Sequence, residues 1–257
     1  MSHVDEYTSA MLEAMDLVWG EGFMAPGGEG NVAQMVRGLA LQDREVLDIG
    51  SGQGRPACIL ASDYGARVTG TDLEAHLVAR AQARAAQLGL QERVRFMQVE
   101  PGPLVFPDQR FDHVVCSGAM TQIEDKASMY RECWRVLRPG GSLSCYDWMK
   151  CPGPLSDLML EWFELEGLTY ALRTPEAHRE LLQQSGFTEI FVRDKSDWYR
   201  RQSALEYEHL QGALHHDLQS LLGTEETAHF IEAWRVLAQL CARGELLQVY
   251  TRAYKAL

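Results

Sequence analysis

The chain has 257 residues, 36 acidic and 24 basic side chains, a formal charge of −12 and 46% hydrophobic residues. This is the composition of a globular protein and excludes collagen-like and disordered classes. The acidic balance argues against the phosphate backbone of a nucleic acid as partner, and no apolar run reaches the roughly 18 residues that a membrane helix needs.

The six cysteines (Cys58, Cys116, Cys133, Cys145, Cys151 and Cys241) are scattered without a C-x-x-C pair, and the first residues form no apolar signal segment. Reduced thiols in a cytoplasmic protein are therefore expected. The length suits a single domain over 1–257 with an N-terminal lid (1–28), a core (29–150) and a region of cap helices and last strands (151–257). The partner expected is a small molecule, with neither nucleic acid nor membrane, acting on a monomer or homodimer.

In chain order, Val4, Tyr7, Met11, Met15 and Val18 recur at spacings of three and four and predict an amphipathic helix over 4–18. The glycine-rich loop 20–28 follows. Strands are predicted at 46–49, 66–71, 94–99, 113–116, 141–147, 189–194 and 247–253, with helices at 74–88, 127–137 and 175–185 between them. That alternation is the pattern of a largely parallel sheet with helices on both faces. Near the end, Tyr207, Leu210, Leu214, Leu218 and Leu221 mark one helix and Phe230, Trp234, Leu237 and Cys241 another, broken at Gly223-Thr224.

The strongest local signal is Val46-Leu47-Asp48-Ile49-Gly50-Ser51-Gly52-Gln53-Gly54, a strand entering a glycine-rich turn that opens a helix. Bare backbone at a helix N-terminus lets a ligand approach closely. A dinucleotide fingerprint starting at Gly50 would need glycine at position 55, where the chain has Arg55, which disfavours a nicotinamide oxidoreductase. Asp72, closing the second strand, can accept both hydroxyls of a ribose.

These residues resemble the class I S-adenosylmethionine-dependent methyltransferases from Val46 to Asp147. The resemblance implies an α/β, Rossmann-like seven-stranded methyltransferase sheet with its last strand antiparallel, an N-terminal helical lid and a C-terminal helical cap insertion. It also implies S-adenosyl-L-methionine as cofactor. Asp48, Gly50, Ser51, Gly52 and Gly54 would meet its methionine part, Asp72 its ribose, and Leu73, Glu100 and Pro101 its adenine. Cys116 and Gly118 would complete the site. Glu100 stands where that family usually has aspartate, and Leu137-Arg138-Pro139-Gly140-Gly141-Ser142-Leu143 matches the entry to the fifth strand.

Outside the core, residues 19–28 and Ser196-Asp197-Trp198-Tyr199 are similar to phosphoethanolamine and sarcosine/dimethylglycine N-methyltransferases. There a tyrosine matching Tyr7 pairs with a histidine, whose place is taken here by Gln122. The phosphate-binding arginine and lysine of the phosphoethanolamine enzymes fall at Leu168 and Leu237, which disfavours a phosphobase. The expectation is N-methylation of a small amine or amino acid. O-, S- or ring-N-methylation of a specialised metabolite such as a histidine-derived thiol is the alternative, and a non-catalytic cofactor-binding protein a further one.

Tyr7 and Gln122 are the catalytic candidates, expected to orient the acceptor. Neither they nor Asp147 is a neutral-pH base by type, so the proton is expected to leave to solvent. Trp19, Tyr146, Asp147 and Tyr170 are the candidate substrate contacts, the aromatics by cation-π attraction, with Trp148 read as packing. No metal is expected, because His209, His215 and His216 lack a paired cysteine or carboxylate set.

Overall fold

A computed structural model describes residues 7–168 and 170–257; Val4, the first position of the expected N-terminal helix, lies outside them. The elements in chain order are α1 (Ser9–Trp19), α2 (Gly28–Val36), β1 (Glu45–Ile49), α3 (Arg55–Ser62), β2 (Arg67–Asp72), α4 (Ala75–Gln87), β3 (Val94–Gln98), β4 (Phe111–Ser117), a single 3-10 turn (Ala119–Thr121), α5 (Lys126–Val136), β5 (Leu137–Lys150), α6 (Asp157–Glu166), α7 (Pro175–Gln184), β6 (Thr188–Asp194), α8 (Ser196–Gln211), α9 (His215–Leu222), α10 (Thr224–Arg243) and β7 (Leu246–Tyr254).

The strands form one seven-stranded sheet in the order β3-β2-β1-β4-β5-β7-β6. The first five are parallel, and β7 runs antiparallel between β5 and β6. The sheet order reverses between β1 and β4, so connections leaving their carboxyl ends diverge and open a crevice there.

Strand alternation distributes the core. Val46, Val68, Val94 and Val115 face α2, α3 and α4, while Leu47, Val114, Leu143 and Cys145 face α5 and α7. A third cluster joins α1 to the cap helices through Ala14, Trp162, Leu210, Leu218, Trp234 and Leu240. No helix among the described residues is long and apolar enough to cross a membrane.

The expected strands are all present, and the structure moves or adds several elements. Among the described residues the N-terminal helix starts at Ser9, because Thr8 is extended, with φ −70° and ψ 159°. The Thr8 hydroxyl caps the helix by accepting from the Met11 N–H at 3.2 Å, the usual service of a threonine at this position. The helix expected across Tyr207–Leu221 is two helices, since Gly212 adopts a non-helical ψ of −97° and the chain turns before α9, a conformation open to glycine. β5 begins at Leu137 instead of 141, which pairs with Phe111 before a register shift admits Pro139-Gly140-Gly141. Helices α2 and α6 lie where the sequence pattern suggested none.

Gly54 illustrates how tightly the turn packs on its neighbours. It holds φ +83°, and a Cβ there would lie 2.7 Å from both Ala81 Cβ and Phe96 Cζ. Gly54→Ala is expected to cost about 2–4 kcal/mol through left-handed strain and overpacking, read as a lower midpoint in denaturant unfolding.

Candidate functional site

The turn after β1 lies at the bottom of the crevice and is fixed by Asp72 at the end of β2. One oxygen of Asp72 accepts from the Gly52 N–H at 2.8 Å and the other from the Glu74 N–H at 3.1 Å. Burial pushes this carboxyl up, against the pull of those amides. Asp48 sits behind the turn, almost wholly buried, with Oδ2 making no hydrogen bond. Burial, with the neighbouring Asp72 charge second, pushes Asp48 up to about 8, because a carboxyl removed from water resists ionisation.

The segment between α1 and α2 is latched over this turn by polar contacts. Asp16 Oδ1 accepts from the Gly22 N–H at 2.7 Å and from Gln53 Nε2 at 3.0 Å. Arg84 bridges the Gln53 carbonyl (3.1 Å) and Glu21 (2.8 Å), and Arg55 meets Glu29 at 2.8 Å. Met24 lies on Gly52, where a Cβ would come within 2.7 Å of its sulfur. Before α1, Tyr7 closes the same roof: Gln122 Nε2 donates to its hydroxyl oxygen at 3.2 Å.

Under this roof lies a cavity of about 730 Å³, within the range of small-molecule sites. Its β2–β3 end offers Asp72, Glu100 and Pro101. Beside them Leu73 (48% exposed) and Val105 (64% exposed) present apolar surface, suited to a flat ring. The other end is walled by Tyr7 and Gln122, by Tyr146, Asp147 and Trp148 of β5, and by Glu166, Tyr170 and Trp234 of the cap region. The Asp72 carboxyl, the glycine turn at Gly50 and Gly52 and an uncovered apolar pair, all at one end, are features an adenosyl cofactor would fit.

At the second end, Asp147 is buried; its Oδ1 accepts from the Thr121 hydroxyl at 3.3 Å and its Oδ2 makes no hydrogen bond of good geometry. Burial pushes Asp147 up to about 7, against the pull of Lys126, the Thr121 hydroxyl and the Thr121 and Met120 amides. Burial likewise pushes Glu166 up to about 7, although Trp162 Nε1 donates to it at 3.1 Å. Tyr170 stacks on Trp162 with centroids 4.5 Å apart, Trp148 meets Trp162 edge-on at 5.2 Å, and Trp19 packs on Trp234 at 5.4 Å.

Of the residues expected from sequence, the structure brings Tyr7, Gln122, Gly50, Gly52, Asp72, Leu73, Glu100, Pro101, Gly118, Trp19, Tyr146, Asp147 and Tyr170 to this one cavity. Asp48, Ser51, Gly54 and Cys116 lie behind its wall: Cys116 is fully buried, and Gly54 serves the packing of α4 and β3. Sequence reasoning missed Met15, Glu166, Trp234 and Gln248. The helical spacing of Met15 and Trp234 announced buried faces without saying what they face. Glu166 carried no signal because α6 was not expected. Burial raises Asp147 above the range its residue type alone suggests. Among the described residues no three His, Cys, Asp or Glu side chains converge as metal ligands.

Residues 46–141 match the family described as a methyltransferase domain. Phosphoethanolamine N-methyltransferase 1 of Zea mays is 25% identical over 241 residues, 93% of this chain and 47% of that protein. The chain thus spans about half the length of this curated relative. Methyltransferase GfsG of Streptomyces halstedii is 30% identical over 181 residues, 69% of this chain and 65% of that protein. The structure of Haemonchus contortus phosphoethanolamine N-methyltransferase 2, in complex with phosphomonomethylethanolamine and S-adenosylhomocysteine, superposes with a TM-score of 0.87 at 23% identity, covering 98% of this chain and 58% of that one. The chain has the class I methyltransferase fold of that structure.

The raised carboxyls tie stability to pH. A carboxyl whose folded pKa lies above its unfolded value contributes stability that is fully present below the unfolded value and is lost as pH rises through the folded one. For Asp48 that window runs from 3.8 to about 8. The melting temperature of the ligand-free protein is expected to fall as pH rises from about 5 to about 8.5, and Asp48→Asn, which cannot ionise, to flatten that fall in differential scanning fluorimetry.

Proposed function

We propose that this chain, which matches a methyltransferase domain over residues 46–141 and has the class I fold, uses S-adenosyl-L-methionine to methylate the nitrogen of a small amine. The observation that carries the reading is the Tyr7–Gln122 hydrogen bond, which closes the N-terminal segment over a cavity running from Asp72 to Asp147. Relatives named for N-methylation support the nitrogen acceptor.

Bound S-adenosyl-L-methionine would supply a methyl group on a sulfonium, open to in-line displacement. Asp72 would hold its ribose hydroxyls through lone pairs not engaged by Gly52 and Glu74. Leu73, Val105 and Glu100 would hold the adenine, and Gly50 and Gly52 would let the rest lie against backbone. The Met24–Gly52 contact and the Tyr7–Gln122 bond would then exclude water and position the acceptor.

An ammonium has no lone pair to attack with, so a proton must leave before transfer. Asp147 Oδ2, buried at the acceptor end and without a hydrogen bond of good geometry, is suited to receive it. With its carboxyl raised to about 7 by burial, Asp147 holds a proton at acid pH and accepts one above neutrality. The nitrogen lone pair then forms the N–C bond as the S–C bond breaks, and the bonding pair returns to sulfur.

The reading is tested by incubating the protein with S-adenosyl-L-methionine and a panel of amines, then reading methylated product and S-adenosylhomocysteine by mass spectrometry; no product from any amine overturns it. Tyr7→Phe is expected to lower kcat/KM about tenfold, the loss of one orienting hydrogen bond, with an unchanged melting temperature. In wild type, kcat/KM should rise with pH through about 7 as Asp147 ionises, and Asp147→Asn should abolish that limb. A rising limb that survives in Asp147→Asn would remove Asp147 from the proton path.

A further inference from the structure

The charge that lines the acceptor end is one-sided, although Lys126 and His229 act on its acids from behind the wall. No lysine, arginine or histidine is among the described residues that line the cavity, whereas Asp147 and Glu166 both do. Lys126, the cation whose charge acts on Asp147, is not available to a ligand: its ammonium donates to the Met120, Thr121 and Ile123 carbonyls at 2.6, 3.4 and 2.7 Å. An ammonium has three donors, and all three are engaged. A third buried acid, Glu206, stands behind the wall near Trp19 and Trp234, where Gln202 Nε2 donates to it at 3.2 Å.

The remaining wall is apolar and aromatic. Leu168 and Leu237 occupy it beside Trp19, Tyr146, Trp148 and Tyr170. Aromatic faces attract cations, the more strongly when water is excluded. The wall's indole, hydroxyl and amide donors are all neutral, so an unpaired phosphate or carboxylate placed beside two carboxylates would find no cation and would bear both desolvation and repulsion.

Resting on the methyltransferase reading above, we infer that the acceptor is an amine with an apolar body and no phosphate or carboxylate, held as a cation by Asp147, Glu166 and the surrounding aromatic rings. The inference departs from amino acids such as sarcosine and dimethylglycine as well as from phosphobases, since each would bring an anion into a cavity without a cation to meet it.

The test begins with binding of S-adenosylhomocysteine by isothermal titration calorimetry. Failure at this step defeats the methyltransferase reading itself and is thereby distinguished from failure of the inference. At saturating S-adenosylhomocysteine, 2-phenylethylamine, phenylalanine, 2-phenylethanol, sarcosine and phosphoethanolamine are titrated while tryptophan fluorescence is followed. 2-Phenylethylamine should bind roughly a hundredfold more tightly than phenylalanine or phosphoethanolamine and about tenfold more tightly than 2-phenylethanol.

Glu166→Gln should weaken the amine about tenfold, leave the weak binding of 2-phenylethanol unchanged and retain S-adenosylhomocysteine binding. Equal or tighter binding of phenylalanine, sarcosine or phosphoethanolamine overturns the inference. So does equal binding of the neutral alcohol, and so does the absence of amine binding in a protein that binds S-adenosylhomocysteine.

Discussion

The reversal of strand order between β1 and β4 is the constraint on which the rest of the molecule depends. β2 and β3 extend the sheet on one side of β1 while β4, β5, β7 and β6 extend it on the other, so the connections after β1 and β4 part company at the carboxyl ends. The glycine turn at 50–54, Asp72, Gly118 and Asp147 are all carried by those strand ends. Their convergence follows from the sheet, since parallel strands direct their carboxyl ends to one edge of the molecule.

The crevice is closed by two kinds of contact with different physical consequences. Over the glycine turn, Asp16, Arg84 and Arg55 fasten the N-terminal segment through partly exposed charges and backbone groups, interactions of modest strength that can open at little cost. At the acceptor end the closure is apolar, with α6, α8, α9 and α10 wrapping large aromatics around a few carboxyls. Burial outweighs the pull of Lys126 on Asp147 and of His229 on Glu166, and leaves Asp48, Asp147 and Glu166 reluctant to ionise. Stability is thereby given up for groups that can take a proton or hold a cation, a common arrangement at functional sites.

The strands of the sheet were legible because their alternation is strong and their ends are punctuated by glycine and proline, as in Val46–Ile49 and Gly141–Asp147. Helix α2 was not, because it begins at Gly28 in a stretch whose glycines signal a loop, and its buried face is only Val32, Met35, Val36 and Asn31. The break at Gly212 was hidden because Leu210, Leu214 and Leu218 keep helical spacing across it while the backbone between them turns away. The pairing of Tyr7 with Gln122 was legible through resemblance, at a separation of 115 residues that periodicity cannot bridge.

The sequence by itself determined the α/β alternation, the glycine turn and its carboxylate partner Asp72, since backbone sterics and strand periodicity are local properties written in neighbouring residues. It also held the residue types of the acceptor end, without saying that they meet. The tertiary structure alone decided that Glu166 and Trp234 from the cap reach the same cavity as Asp147, that Lys126 is taken up by backbone carbonyls, and that burial pushes the Asp147 carboxyl up. Those outcomes depend on desolvation and on contacts between residues far apart in the chain, and both come into existence only when the helices have packed.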